Sequence, residues 1–330
     1  MPPPAPKAPP ASELQNEQLY APVRTFMNVP YSHDFASCRA AILGVPFDCG
    51  IHPTRIGARL GPQSIRERSA LQRPIHSVLS DFNPLKNLRL IDAGDVRVIS
   101  SVMLDGFARI EEAVWRIVAA GSIPLTMGGD GAVTLPQLRA LHRRYPDLCV
   151  LHLDAHTDAY THHLELSLGG PGDFYNSATT FVRAAEERVV DTANSFHVGI
   201  RGFTAVGGNI AFTRSLGYHV IDGHEMFARG IPDVVAEIKH RLVGRPVYLC
   251  FDMDFFDPSC APGVASPAWG GPSAREGLGL LQSLAGLNFV AFDVNTVSPP
   301  HDVQGMAAHL AGVVLLECMS LACHALHLTE

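Results

Sequence analysis

The sequence predicts an α/β fold: a mostly parallel β-sheet covered by helices on both faces. Three observations carry that prediction. Eight short apolar or β-branched runs recur along the 330 residues, each the length of a strand. Segments of helical period lie between most of them, and strands that alternate with helices are joined by crossovers, which make parallel sheets. The composition is 47% hydrophobic, enough for a large core, and no linker or internal repeat divides the chain after its N-terminus.

Residues 1–18 are rich in Pro and Ala, which predicts a disordered segment without the apolar centre of a secretory signal. Residues 19–330 read as a single domain. Its predicted strands are 41–45, 88–91, 123–127, 148–153, 196–200, 218–221, 247–251 and 288–292. Helix-period segments occupy 106–120, 135–144, 182–190, 234–242 and 273–285. The stretch 306–328 is apolar enough to suggest a membrane span. Glu317, His309, His324 and His327 interrupt it, so a buried terminal helix is expected and no membrane partner.

Charge narrows the function classes. The net charge is −7 with 16 His taken as neutral, and there is no Lys/Arg run, which argues against a nucleic-acid partner. The seven Cys are scattered singly without a CxxC, and Cys149 and Cys250 lie in apolar runs. Reduced thiols in a cytoplasmic protein are expected.

In open parallel sheets, sites form beyond the carboxyl ends of strands. Four apolar runs here end in acid. LTMGGD ends at Asp130, and LCVLHLD leads into Asp154, His156 and Asp158. PVYLCFD leads into Asp252, Asp254 and Asp257, and NFVAFD ends at Asp293. Residues two apart on a strand share a face, so Asp154, His156 and Asp158 are expected to converge, as are Asp252 and Asp254. Carboxylates this crowded repel unless a cation sits among them. Mixed imidazole and carboxylate donors suit Mn, Fe, Ni or Zn better than Ca. A lone DxD is more often a loop cap; two such motifs at the ends of separate strands favour a metal. Asp130 reads as a residue that bonds the backbone amides of its turn, and Asp257 and Asp293 as hydrogen-bonding strand-end residues. Arg55, Arg59 and Arg66 read as braces, and Trp115 and Trp269 as packing.

Several motifs in order resemble the ureohydrolases: arginase, agmatinase, guanidinobutyrase and relatives. They are GVPFD (44–48), RIGARLGPQSIR (55–66), GGD (128–130), LDAHTD (153–158), GIRG (199–202), FDMDFFDPSCAPG (251–263) and DVNTVSPPHD (293–302), and the resemblance spans roughly residues 40 to 320. It implies an arginase-like three-layer α/β/α fold around an eight-stranded parallel sheet, assembled as trimers or hexamers. It also implies a dinuclear manganese or nickel centre that hydrolyses guanidinium carbons. By position, Asp154 and Asp252 would bridge both metals, His156 and Asp254 would complete the second site, and Asp158 would serve the first.

The sequence then departs from the pattern. The His that follows GGD in the family is Gly131 here, so the first metal loses its imidazole. The Glu that pairs with the substrate cation is Thr296, and a neutral hydroxyl gives a weaker contact than a charge-assisted pair. The loop after DAHTD lacks its His-Gly, with His162 and His163 as nearby candidates to replace it. Ala268 stands where relatives carry Glu.

These departures imply a chain with no intact catalytic set. It most resembles the non-catalytic subunit of heteromeric members such as the metformin hydrolases, which cleave metformin to guanylurea and dimethylamine. The expected partner is a homologous catalytic subunit carrying nickel or manganese. This chain would then hold either no metal or one weakly bound ion. Two alternatives stay open: an active ureohydrolase with an altered, mononuclear centre, and a guanidine-binding or regulatory protein.

Overall fold

The computed structural model describes residues 23–52, 54–160, 174–204 and 207–330. The expected disorder of residues 1–18, and His162 and His163, lie outside them. The strands are β1 (Ala40–Gly44), β2 (Ile91–Asp95), β3 (Ile123–Met127), β4 (Cys149–Leu153), β5 (Phe196–Ile200), β6 (His219–Asp222), β7 (Val247–Asp252) and β8 (Phe289–Asn295). They form one eight-stranded sheet in the order β2-β1-β3-β8-β7-β4-β5-β6, and every pairing between them is parallel. The expected sheet is therefore present, and it is parallel throughout.

The helices are α1 (Gly61–Ser69), α2 (Pro84–Asn87), α3 (Met103–Ala119), α4 (Thr134–His142), α5 (Thr180–Glu186), α6 (Asn209–Ser215), α7 (Gly223–Arg229), α8 (Ile231–Leu242), α9 (Ala274–Ser283) and α10 (Met306–Ala325). Alternate strand residues feed two separate cores, as the two-residue period of a strand requires. Ile42, Leu125, Leu151 and Leu249 pack with α8, α9 and α10 on one face. Ala41, Leu43, Val150 and Tyr248 pack with α3, α4 and α5 on the other. The result is three layers, with α10 seated against β8, α1 and α9. That position explains why α10 is apolar with little regard to face: most of it is buried in the protein.

One strand differs from its sequence-based placement. Leu88 and Leu90 are buried, yet β2 starts only at Ile91. Asn83 caps α2 by accepting from Lys86 N–H, Pro84 opens the helix, and Arg89 turns the chain at φ +47°. The apolar run thus closes a short helix. The strand itself carries Asp92 and Asp95, which Arg66 from α1 neutralises. The polar helices α1, α6 and α7 were not expected from the sequence.

A candidate metal centre at the ends of four adjacent strands

The four motif-bearing strands, β3, β8, β7 and β4, are consecutive in the centre of the sheet. Leu153 pairs with Phe251, and Asp252 with Asn295, so the acids beyond these strands emerge side by side. This is the crevice that strand ends leave in such folds.

Four of the five predicted donors, Asp154, His156, Asp158 and Asp254, fall into candidate metal-binding groups, though not by strand alternation. β4 stops at Leu153, so DAHTD is a loop, and Asp158 adopts φ +46°. β7 stops at Asp252, which caps a single 3-10 turn by accepting from Asp254 N–H at 2.7 Å. Local turns therefore aim the side chains. Asp154, His156 and Asp254 each place a ligand atom within 4.8 Å of the others. His156 Nδ1 lies 3.1 Å from Asp254 Oδ2 and 3.4 Å from Asp154 Oδ1. Asp158 joins a second group with Asp154 and His152. Asp252 belongs to neither group. Its Oδ1 accepts from the Thr296 hydroxyl and from Asp254 N–H.

His152 is the residue the sequence reading missed. It precedes Asp154 by two, the spacing that puts both on one face, and that signal was available. Its Nε2 lies 2.8 Å from Asp154 Oδ2, and its Nδ1 lies 2.9 Å from Nδ1 of His197 on β5. Phe181 and Tyr218 pack around the pair. Burial pushes the His152 imidazole down to about 3 and that of His197 well below its usual value, so both are neutral.

Burial, and then mutual repulsion, dominate the acids. Burial followed by the charges of Asp254 and Asp154 lifts Asp252 well above the carboxylate range. Asp158 is lifted likewise by burial and by Asp154, and Asp254 is raised for the same reasons. Burial opposes charge on His156, yet Asp254 and Asp154 together hold it well above the usual imidazole value.

Gly131 lies where the resemblance places an imidazole. A Cβ built there would sit 2.7 Å from Asp158 Oδ2 and 3.4 Å from Ser177 Cβ. The carboxylate of Asp158 has taken the space that a side chain would need. The GGD turn itself is intact. Gly128 and Gly129 have φ of +82° and +78°, and a Cβ on Gly128 would strike Pro62 at 2.3 Å. Asp130 ties loops, as expected, accepting from Cys49 N–H at 2.7 Å and Ala132 N–H at 3.2 Å.

Asp257, Asp293, Arg55 and Arg66 make hydrogen bonds of the kind expected of them, whereas the bracing expected of Arg59 is not seen among the described residues. Asp257 accepts from Gly270 and Gly271 N–H, and Asp293 from Thr126, Thr134 and Tyr248 hydroxyls. Arg55 braces the carbonyls of Pro262 and Val264, and Arg66 binds Asp92. Arg59 is exposed. Trp115 is partly buried beneath Arg143. Trp269 is a correction: it is 76% exposed on a loop and packs into no core.

The donors fit a divalent cation by one direct observation. Asp154 Oδ2 is buried and accepts no hydrogen bond among the described residues. Its near neighbour is His152 Nε2 at 2.8 Å, on an imidazole that burial keeps neutral. An unpartnered carboxylate oxygen in such a place is costly unless a cation meets it. Asp154, His156 and Asp254 are the residues that would hold the ion, which when bound supplies a Lewis acid that lowers the pKa of water.

Comparison with known proteins places this geometry. The chain is 37% identical over 303 residues to a guanidinopropionase of Pseudomonas aeruginosa, covering 92% of each chain. Its fold is similar to that of a proclavaminate amidino hydrolase from Streptomyces clavuligerus, with a TM-score of 0.86 at 31% identity, over 93% of this chain and 99% of that one. It is also similar to a Trypanosoma cruzi formiminoglutamase solved with Mn2+, with a TM-score of 0.79 at 22% identity, over 91% and 98% of the two chains. The arginase family model matches residues 38–321, and with the strand order and acidic motifs above, the chain belongs to the arginase family.

Proposed function

We propose that this chain is a degenerate guanidino hydrolase that supports a catalytic homologue instead of turning substrate over alone. The observation that carries the reading is at position 131: no donor side chain exists there, and Asp158 Oδ2 fills the room. Thr296 agrees with it, since its hydroxyl faces Asp252 and offers no charge to a guanidinium. The partner on this reading is a homologous, metal-competent subunit with nickel or manganese, in a trimeric or hexameric cytoplasmic assembly. The assembled enzyme hydrolyses a guanidine or biguanide compound, and metformin is the specific substrate to test.

The chain should be expressed alone and together with the nearest encoded ureohydrolase homologue. Bound metal per chain is measured beside hydrolysis of guanidinopropionate and of metformin, which with one water gives guanylurea and dimethylamine. Activity confined to the mixture, with this chain alone holding at most one ion and inactive, is the expected result. Turnover by the chain alone would overturn it.

A second reading, a mononuclear enzyme, is favoured by the intact group of Asp154, His156 and Asp254. It requires turnover by the isolated chain that Asp254→Ala abolishes.

A further inference from the structure

Thr296 follows β8 at φ +66°. A β-branched side chain is strained in that left-handed region, which L-residues with branching at Cβ rarely enter. The backbone there is pinned from both sides. Its N–H donates to Gly129 O at 2.7 Å, and its carbonyl accepts from Ala265 N–H at 3.1 Å. The side chain is buried, and its hydroxyl is directed at Asp252 Oδ1, with Asn295 O at 2.9 Å as a second acceptor. One proton serves two acceptors, and the carboxylate is the nearer and the stronger.

Asp252 Oδ1 also accepts Asp254 N–H at 2.7 Å. A carboxylate oxygen has two lone-pair sites, and here a hydroxyl and an amide fill both. Only Oδ2 remains for a cation. A carboxylate that bridges two ions through its two oxygens needs a free lone pair on each.

We propose that the Thr296 hydroxyl caps Oδ1 of Asp252 and confines this centre to a single metal ion. Thr296 is then a positioning residue for the metal site. A glutamate in the same place has no proton to donate when ionised and could not form the cap. The inference rests on the metal-binding reading of the centre given above, and it further takes Asp252, which lies beside the two donor groups, as a ligand of that centre.

The test uses the full chain. Mn2+ is titrated into wild type, Thr296→Val and Thr296→Ser, each also combined with Gly131→His. Valine keeps the branching and loses the donor; serine keeps the donor. Ions per chain come from equilibrium dialysis, and electron paramagnetic resonance separates an isolated Mn2+ from an exchange-coupled pair. With Gly131→His, one ion is expected beside Thr or Ser at position 296, and two coupled ions beside Val. In the native background, valine should raise Mn2+ affinity about tenfold and serine should leave it nearly unchanged, the scale on which contacts behind metal ligands act. Thr296→Ala gives the same reading should valine disturb the packing. Two ions bound by Gly131→His alone, or valine and serine behaving alike in both backgrounds, overturns the cap. Turnover by isolated wild type counts against the supporting-subunit reading instead, so the two failures are distinct.

Discussion

At position 131 a glycine leaves room that the carboxylate of Asp158 occupies. The backbone there is not left-handed, so an imidazole carries no conformational penalty, and the obstacle is the Asp158 carboxylate 2.7 Å from the required Cβ. A carboxylate is the mobile end of its side chain and can swing out. On the one-ion reading, Gly131→His should therefore complete an alternative position with Asp154 and Asp158, where a single Mn2+ or Ni2+ binds about tenfold or more tighter than in the wild type. Gly131→Ala, which displaces Asp158 without adding a donor, should not. Calorimetric titration of both variants checks this, and equal affinities would refute it. At this scale the sequence is most legible where a residue's role is local. Asp130, Asp257 and Asp293 bond to turns and strands that the sequence already marks. His152 was readable from its spacing to Asp154. Trp269 was not, because exposure of a loop aromatic depends on what packs above it, and nothing adjacent in sequence states that.

At the scale of elements, alternation in the sequence reports strands and helices but not neighbours. Each crossover can place its next strand on either side of the growing sheet. The order that seats β8 and β7 between β3 and β4 is decided by packing of distant segments. That order is what gathers the four acidic motifs. β2 lies beyond the apolar run at 88–91 because its identity depends on a partner from another element. Asp92 is fully buried, and a buried acid suits a strand only where a cation meets it. Arg66 Nε and Nη2 bind its two oxygens at 2.8 and 2.9 Å, and Nη1 reaches Asp95 at 2.5 Å. Arg66→Met keeps most of the stem and leaves Asp92 uncompensated. It should destabilise the fold by about 3 kcal/mol, the lower end for a broken buried pair. Arg109→Met, which removes an exposed pair with Asp105 on α3, serves as the control and should leave stability unchanged. Urea denaturation of the two variants measures the contrast, and a similar midpoint for both would show that the Arg66 bridge does not anchor β2.

For the whole molecule, stability, protonation and metal binding are linked through the same few groups. His152 and His197 are neutral in the fold and take protons when it opens. Their depressed values make stability fall as pH drops below the unfolded value of about 6.5, by up to about 1.4 kcal/mol per pH unit for each. His156 works in the opposite direction. Its folded value lies above the unfolded one, so the stability it contributes is complete below about pH 6.5 and is lost as pH rises through the folded value. The raised acids Asp158, Asp252 and Asp254 share that sign, losing their contribution as pH climbs from the usual carboxylate range through their folded values. Above about pH 6.5 the buried pair no longer titrates in either state, so only the falling contributions remain. A metal ion reverses them, because it replaces the protons on His156 and the acids and binds more tightly as they leave. EDTA-treated protein should therefore melt at a lower temperature at pH 8 than at pH 6.5. The rise in melting temperature on adding Mn2+ should be larger at pH 8 than at pH 6.5, and His156→Asn should flatten both trends. Differential scanning of treated and loaded protein at the two pH values decides it. A metal increment that does not grow with pH would mean that Asp154, His156 and Asp254 do not hold the ion, and that what this chain keeps of the family is its architecture alone.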